Sequence, residues 1–254
     1  MPPGAGLETA SAIVAPMAEG SRAALVTGAA GGIGRAIVER LERDGWSVHG
    51  VAVADADLST REGNRAVVDA ALERFGRLDA IVPNAGFQHV APVAEFPEEQ
   101  WDRLLALLLT SPFLLAKYAW PALAESGDGR ICVIASAHGL VASPFKAGYV
   151  SAKHGVIGLV RTLALEGAPQ GILATAVCPG FVRTPLVEAQ IDGQARAHRL
   201  PPERVLEAVI LAPHAVKRLI EPEEVAATVA FLLGPGGRAF TGTSVEMALG
   251  WTAR

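Results

Sequence analysis

Tyr149 and Lys153 stand four residues apart, so on a helix they share one side. An ammonium beside a phenol favours the ionised form and lowers its pKa from about 10, which makes the tyrosine usable as an acid or base near neutrality. Ser136 follows the apolar run 131–135, and from the carboxyl end of a strand its hydroxyl can hydrogen-bond a substrate oxygen. Upstream, Leu25-Val26-Thr27-Gly28-Ala29-Ala30-Gly31-Gly32-Ile33-Gly34 joins an apolar run to a helical one. Gly28 permits a tight turn there. Gly32 and Gly34 let backbone approach a pyrophosphate seated on the positive end of a helix. Alone, a Tyr-x-x-x-Lys pair is more often a surface contact, and a glycine pattern is weak. Placement between strand and helix is what points to dinucleotide binding.

Holding such groups in register takes a sheet. Short apolar runs alternate with helical periodicity along the chain, the pattern of parallel strands with crossover helices. Candidate strands are 23–26, 48–53, 80–82, 131–135, 173–178 and 244–247. Four are followed closely by Gly, Asn or Ser, small residues that suit the ligand crevice at the carboxyl ends of strands. Ile33, Ile37 and Leu41 recur every four residues on one face, with Gly45 as the stop. Longer helical patterns cover 98–125 and 149–166, and another runs from Glu223 to Leu233 behind Pro222. The expected fold is one doubly wound, Rossmann-type α/β domain with a mainly parallel sheet over residues 21–254, after a flexible tail at 1–20. Residues 186–215, punctuated by Pro185, Pro201, Pro202 and Pro213, read as a lid insertion.

Composition removes several other functions. Of 254 residues, 50% are hydrophobic and 19% charged, which is globular, and the net charge of −4 comes without a basic block, against nucleic-acid binding. Cys132 and Cys178 are too few for a disulfide framework or a four-cysteine zinc site and read as small core residues; no metal site is expected. His49, His154, His198 and His214 carry no ligand spacing. The apolar stretch 104–116 is interrupted by Thr110, Ser111 and Pro112 and falls short of the ~20 residues that span a bilayer. Residues 1–20 contain two glutamates and no Lys or Arg, unlike a secretory signal. A cytoplasmic protein with no membrane partner is expected.

In order along the chain stand Thr27-Gly28-x-x-x-Gly32-x-Gly34, Asn84-Ala85-Gly86, Ser136, Tyr149-x-x-x-Lys153 and Pro179-Gly180. This set resembles the short-chain dehydrogenase/reductase family over residues 22–254. The resemblance implies a nicotinamide cofactor and hydride transfer, with Tyr149 as general acid/base and Ser136 orienting the reacting oxygen. It gives Lys153 two tasks, on the nicotinamide ribose and on the tyrosine pKa. Gly28, Gly32, Ile33, Gly34, Asn84, Ala85 and Gly86 would line the cofactor, Asp57 and Leu58 would border its adenine, and Pro179, Gly180, Val182 and Thr184 would meet the nicotinamide end. Further stretches are similar to the bacterial D-3-hydroxybutyrate dehydrogenases: 85–90, 136–146, 184–187 and 250–253. That resemblance assigns the substrate carboxylate to Gln88, His138, Lys146 and Gln190, a cation, an imidazole and two amides suited to charge-assisted hydrogen bonds. Phe181 and Trp251 would supply apolar walls. A homo-oligomer, a tetramer by resemblance, is implied.

Three departures stand out. Leu108 occupies the place of a family asparagine that supports a proton relay through ordered water, and leucine has no donor or acceptor. From Val48 the chain passes almost directly to Asp57-Leu58, without room for the usual helix and following strand. The acidic residue that binds the ribose hydroxyls of NAD therefore falls near Ala52, with Asp55 close enough to substitute. No Arg or Lys lies between Val48 and Arg61 to hold an NADP phosphate, which favours NAD without excluding NADP. Third, Ala248 and Leu249 replace the first two residues of the family's Asp-Gly-Gly. The leading expectation is NAD-dependent oxidation of a small 3-hydroxy acid, D-3-hydroxybutyrate, to acetoacetate, or the reverse. The alternatives are a reductase for another carbonyl such as a 3-oxoacyl thioester, or a catalytically weak nucleotide-binding protein.

Overall fold

The computed structural model describes residues 20–253; the expected tail at 1–20, apart from Gly20, lies outside them. All six expected strands form, as β1 (Ala23–Thr27), β2 (Ser47–Val51), β3 (Ala80–Val82), β4 (Gly129–Ile134), β5 (Ile172–Pro179) and β6 (Ser244–Met247). They pair in parallel in the order β2-β1-β3-β4-β5-β6. The chain leaves β1 first for one neighbour and then for the other, so the strand order reverses at β1, and a crevice opens between the carboxyl ends of β1 and β3.

Side-chain alternation splits the core into two layers, as expected for a sheet covered on both faces. Leu25, Ile81, Ile131, Val133 and Ala176 face α2 (Arg61–Phe75), α4 (Ser111–Glu125) and α5 (Ala147–Gly167). Their neighbours Ala24, Val26, Val82, Cys132 and Val177 face α1 (Gly32–Arg43) and α9 (Pro222–Leu233). The Ile33/Ile37/Leu41 stripe packs here, and α1 ends at Asp44 before Gly45, whose φ is +86°. Both cysteines are buried, in opposite layers, and burial pushes their thiols up to about 12 (Cys132) and about 11 (Cys178).

The helical run 98–125 is not one regular helix. α3 (Glu98–Leu105) passes through a π-helical turn, Ala106–Thr110, into α4. Ser111 N–H reaches back five residues to the Ala106 carbonyl, and Pro112, which has no N–H, stands where the donor to the Leu108 carbonyl would be. The run Glu98–Glu125 is 28 residues long and holds an 18-residue window of mean hydropathy 1.3, enough by length and composition alone to cross a membrane, with 44% of that window buried inside the fold. Its interruptions at 110–112 do not end the helical run. Leu114, Leu115, Ala119 and Leu123 pack it into the core as a sheet-covering helix.

The 186–215 region folds as short helices, α6 (Pro185–Glu188), α7 (Ile191–His198) and α8 (Pro202–Val205), followed by a π-helical turn Leu206–Ile210. They close around their own small core of Phe181, Val187, Ala195, Val205 and Ile210.

Candidate active site

At the carboxyl ends of the strands lies a cleft of about 310 Å³. One end is the glycine loop. Gly28 and Gly32 have φ of +71° and +53°, and a Cβ on Gly32 would sit 2.9 Å from Thr184 Cγ2. Helix α1 starts at Gly31 with no side-chain cap and no acidic residue in its first turn, so its N–H groups and positive end face the cleft free of internal anions. Thr27 Oγ1 accepts from both Asn84 N (3.0 Å) and Ala85 N (3.1 Å), and Asn84 Nδ2 donates to the Thr27 carbonyl, which ties the β3 loop to the β1 loop. The sequence marks Thr27 only as part of a motif; its hydroxyl is the brace between the two loops. A glycine cradle at a helix N-terminus fits a pyrophosphate.

The middle of the cleft holds Ser136, Tyr149 and Lys153, supplied by the end of β4 and by α5. Ser136 Oγ accepts from His138 N at 3.1 Å and donates to the Pro179 carbonyl at 3.4 Å. Lys153 Nζ donates to the Ile134 carbonyl at 2.7 Å and lies 5.6 Å from the centre of the Tyr149 ring. Burial lowers the Lys153 ammonium to about 8 and, outweighing a hydrogen bond from Ser136, raises the Tyr149 phenol above its ordinary value. The expected lowering of the tyrosine by the lysine is therefore not the governing effect: the lysine's charge is turned to a carbonyl, and desolvation wins.

Beyond Tyr149 the cleft ends in Gln88, His138, Lys146 and Gln190. Lys146 is 3% exposed, donates to Gln190 Oε1 at 3.0 Å, and lies 4.8 Å above the Phe181 ring. Gln190 Nε2 is in turn anchored on the Leu186 carbonyl at 2.9 Å. Burial depresses Lys146 to about 7, and burial together with Lys146 holds His138 well below the usual imidazole range, so His138 is neutral. Its Nε2 pairs with Ser143 Oγ at 3.0 Å.

Of the residues expected at the site, Gly28, Gly32, Ile33, Asn84, Ala85, Gly86, Pro179, Gly180, Phe181, Val182 and Thr184 line this cleft as well. Gly34, Asp57, Leu58 and Trp251 do not line it. Gly34 lies beneath the loop, where a Cβ would meet the Gly28 carbonyl at 2.1 Å. Leu58 is in the core, and Asp57 is an exposed turn residue whose carboxylate accepts from Ser59 N (2.9 Å) and Ser59 Oγ (2.6 Å). Asp55, the suggested ribose partner, accepts from Ala52 N at 2.6 Å. Trp251 stands one layer back, stacked on Phe181 (centroids 5.6 Å, 7° between planes) and edge-on to His138 at 4.9 Å. His214 completes that second layer, fully buried and 5.9 Å from both Phe181 and Trp251. Nothing in the spacing of the sequence marks it.

Leu108 also lines the cleft, and with Lys153, Ser111 and Thr27 it encloses a separate cavity of about 10 Å³, about the volume one water occupies.

A parallel sheet with a glycine cradle at its switch point and a Ser-Tyr-Lys cluster beside it defines a Rossmann-fold oxidoreductase that works with a nicotinamide cofactor. Residues 49–252 match the family described as enoyl-(acyl carrier protein) reductase. The chain is 40% identical to a D-beta-hydroxybutyrate dehydrogenase of Rhizobium meliloti (strain 1021), covering 92% of this chain and 100% of that one. It is 36% identical to the enzyme of the same name from Cupriavidus necator, covering 92% and 98%. Among solved structures, a single-substitution variant of actinorhodin polyketide ketoreductase with NADPH superposes with a TM-score of 0.86 at 32% identity, over 93% of this chain and 99% of that one. The chain belongs to the short-chain dehydrogenase/reductase family.

Proposed function

We propose that the protein interconverts D-3-hydroxybutyrate and acetoacetate with NAD as cofactor. The observation that carries this reading is the buried Lys146–Gln190 pair, which ends the same cleft that holds Ser136 and Tyr149. A cation already 3% exposed, beside the amides of Gln88 and Gln190 and a neutral His138, is a receptor for one small carboxylate. Phe181 closes that end as an apolar wall, with Trp251 supporting it from behind.

In oxidation, the Tyr149 oxygen accepts the substrate hydroxyl proton while Ser136 Oγ hydrogen-bonds the same oxygen as it becomes a carbonyl. In reduction, Tyr149 returns that proton. A nicotinamide cofactor held at the glycine cradle would supply the hydride chemistry of both directions. Lys153 holds its charge at the end of β4, where it favours the ionised tyrosine and offers donors to a ribose. The absence of Lys and Arg from residues 48–60 supports NAD over NADP. Self-association as a cytoplasmic homotetramer rests on the family resemblance and is supported by exposed Trp101, Phe113 and Leu165 on α3, α4 and α5.

The test is the initial rate of reduced-nicotinamide formation with D-3-hydroxybutyrate, run with NAD and with NADP, with the L-enantiomer and a neutral secondary alcohol as controls. Turnover confined to NAD and the D-acid is expected. Turnover of the neutral alcohol alone, or none with cofactor binding demonstrated, rejects the assignment.

A further inference from the structure

Lys146 follows a strained residue. Phe145 has a φ of +66°, a left-handed conformation that glycine takes freely and a bulky side chain takes only where its surroundings impose it. Both sides of the turn are tied down. The Phe145 carbonyl accepts Ala91 N–H at 3.0 Å, and the Lys146 carbonyl accepts Val150 N–H at 2.9 Å as α5 begins.

The phenylalanine ring does what a glycine at this position cannot. It meets the His198 imidazole edge to face, with centroids 5.0 Å apart and planes at 89°. His198 is the last residue of α7, and Gln190, whose Oε1 accepts from Lys146 Nζ at 3.0 Å, is the N-cap of the same helix. Two consecutive side chains therefore grip one helix at points eight residues, about 12 Å, apart. Val90, next to Ala91, packs on the backbone between them, where a Cβ on Gly193 would lie 3.3 Å from the valine Cβ.

The grip opposes a specific tendency. Lys146 is 3% exposed, and an ammonium held inside the protein by one hydrogen bond gains by swinging out to water. Relaxation of Phe145 to a negative φ would re-aim the residue that follows and release it. Resting on the reading of Lys146 as the cation that receives the substrate carboxylate, we propose that Phe145 and His198 are positioning residues: their ring contact pins the turn to the far end of α7 and keeps the Lys146 ammonium inside the cleft. Neither residue lines the cleft, and neither takes part in proton or hydride transfer.

The experiment labels the unliganded protein with acetic anhydride at pH 8 and follows Lys146 by peptide mass spectrometry in wild type, Phe145→Gly, Phe145→Tyr, His198→Ala and the Phe145→Gly/His198→Ala pair. Glycine keeps the left-handed turn without strain and deletes only the ring. Lys146 acetylation is expected to accelerate by about fivefold or more in Phe145→Gly and in His198→Ala, no further in the pair, and not at all in Phe145→Tyr. The KM for D-3-hydroxybutyrate should rise by a similar factor in the same two single variants, with kcat and cofactor Kd held, a split that general loosening of the fold does not produce. A wild-type acetylation rate in Phe145→Gly, single effects that multiply in the pair, or loss of kcat and cofactor affinity alongside KM overturns the proposal. Absence of turnover in the wild type strikes the functional reading alone, because the acetylation ratios are read without substrate.

Discussion

Lys153 Nζ bonds the carbonyl of Ile134 at 2.7 Å and stands 5.6 Å from the centre of the Tyr149 ring, so the lysine belongs to the end of β4 as much as to the tyrosine. With the phenol raised by burial, its base form is scarce at neutrality and grows with pH. At saturating substrate, oxidation of the hydroxy acid should therefore accelerate steadily from pH 7 to 9, while reduction, which uses the protonated form, stays nearly flat from pH 6 to 8. A pH–rate profile in both directions checks this; an oxidation rate independent of pH over that span contradicts it. Tyr149→Phe should lower kcat by about 10²–10⁴ in either direction with cofactor affinity nearly intact.

Lys146 supplies a second pH dependence. Its ammonium is depressed to about 7 in the folded protein, against about 10.4 in an unfolded chain. Between those values the unfolded state binds more protons, so the group's contribution to stability is present in full above the upper value and is lost as pH falls towards 7. The melting temperature of the unliganded protein should rise between pH 7 and 9, and less so in Lys146→Met. Carboxylate binding runs the opposite way: its Kd should increase by up to about tenfold per pH unit above 7, with proton uptake measurable by calorimetry in buffers of different ionisation enthalpy. A Kd flat from pH 7 to 9 would mean that the lysine does not hold the acid.

Leu108→Asn separates side chain from backbone. Pro112, four residues on, has no N–H to offer the Leu108 carbonyl, and the small cavity beside Lys153 is bordered by the same turn. The acceptor role can be met by the main chain, so the variant should change kcat by less than about tenfold. Placing an amide against Leu104 and Ala152 should cost about 2–3 kcal/mol, roughly 5–10 °C in a chain of this length. A much larger gain in kcat would show that the missing amide limits the natural protein.

Gly34→Ala tests the cradle. A Cβ there would lie 2.1 Å from the Gly28 carbonyl, backbone against backbone, with no side chain able to move aside. Cofactor Kd should rise more than tenfold and Tm should fall by several degrees. Gly31→Ala is the stability control, since its Cβ meets nothing within 4 Å, and its Tm should match wild type.

Much of this is legible in the sequence because the signals are local. Five strands end where the apolar runs do or within a residue, and the Ile33/Ile37/Leu41 stripe names the buried face of α1. Convergence of Gln88, His138, Lys146 and Gln190 comes from family resemblance, since four residues spread over a hundred positions meet only through the sheet order. The π turn at 106–110 is hidden in an apolar pattern whose interruption at Thr110, Ser111 and Pro112 reads as a break rather than as a change of helical register. The direction of the Tyr149 shift escapes the sequence because spacing reports a neighbour's charge but not how deeply both groups are buried. Trp251 is expected in the pocket because its indole matches the family position, whereas Phe181 stands between it and the cleft.

The shortened passage from β2 to α2 has one more consequence. β2 is the margin of the sheet, held only by β1, and its last residue, Val51, accepts the amide of Ala29 in the glycine loop at 2.9 Å. The loop is thus hung from an edge strand, one with a neighbour on a single side. Fluctuations that let the margin open, the kind amide hydrogen exchange detects, also unseat the cradle. Any ligand that needs the loop in place must then slow exchange along β2 without touching it, so the breathing of the sheet's edge and the affinity for a dinucleotide draw on the same free energy.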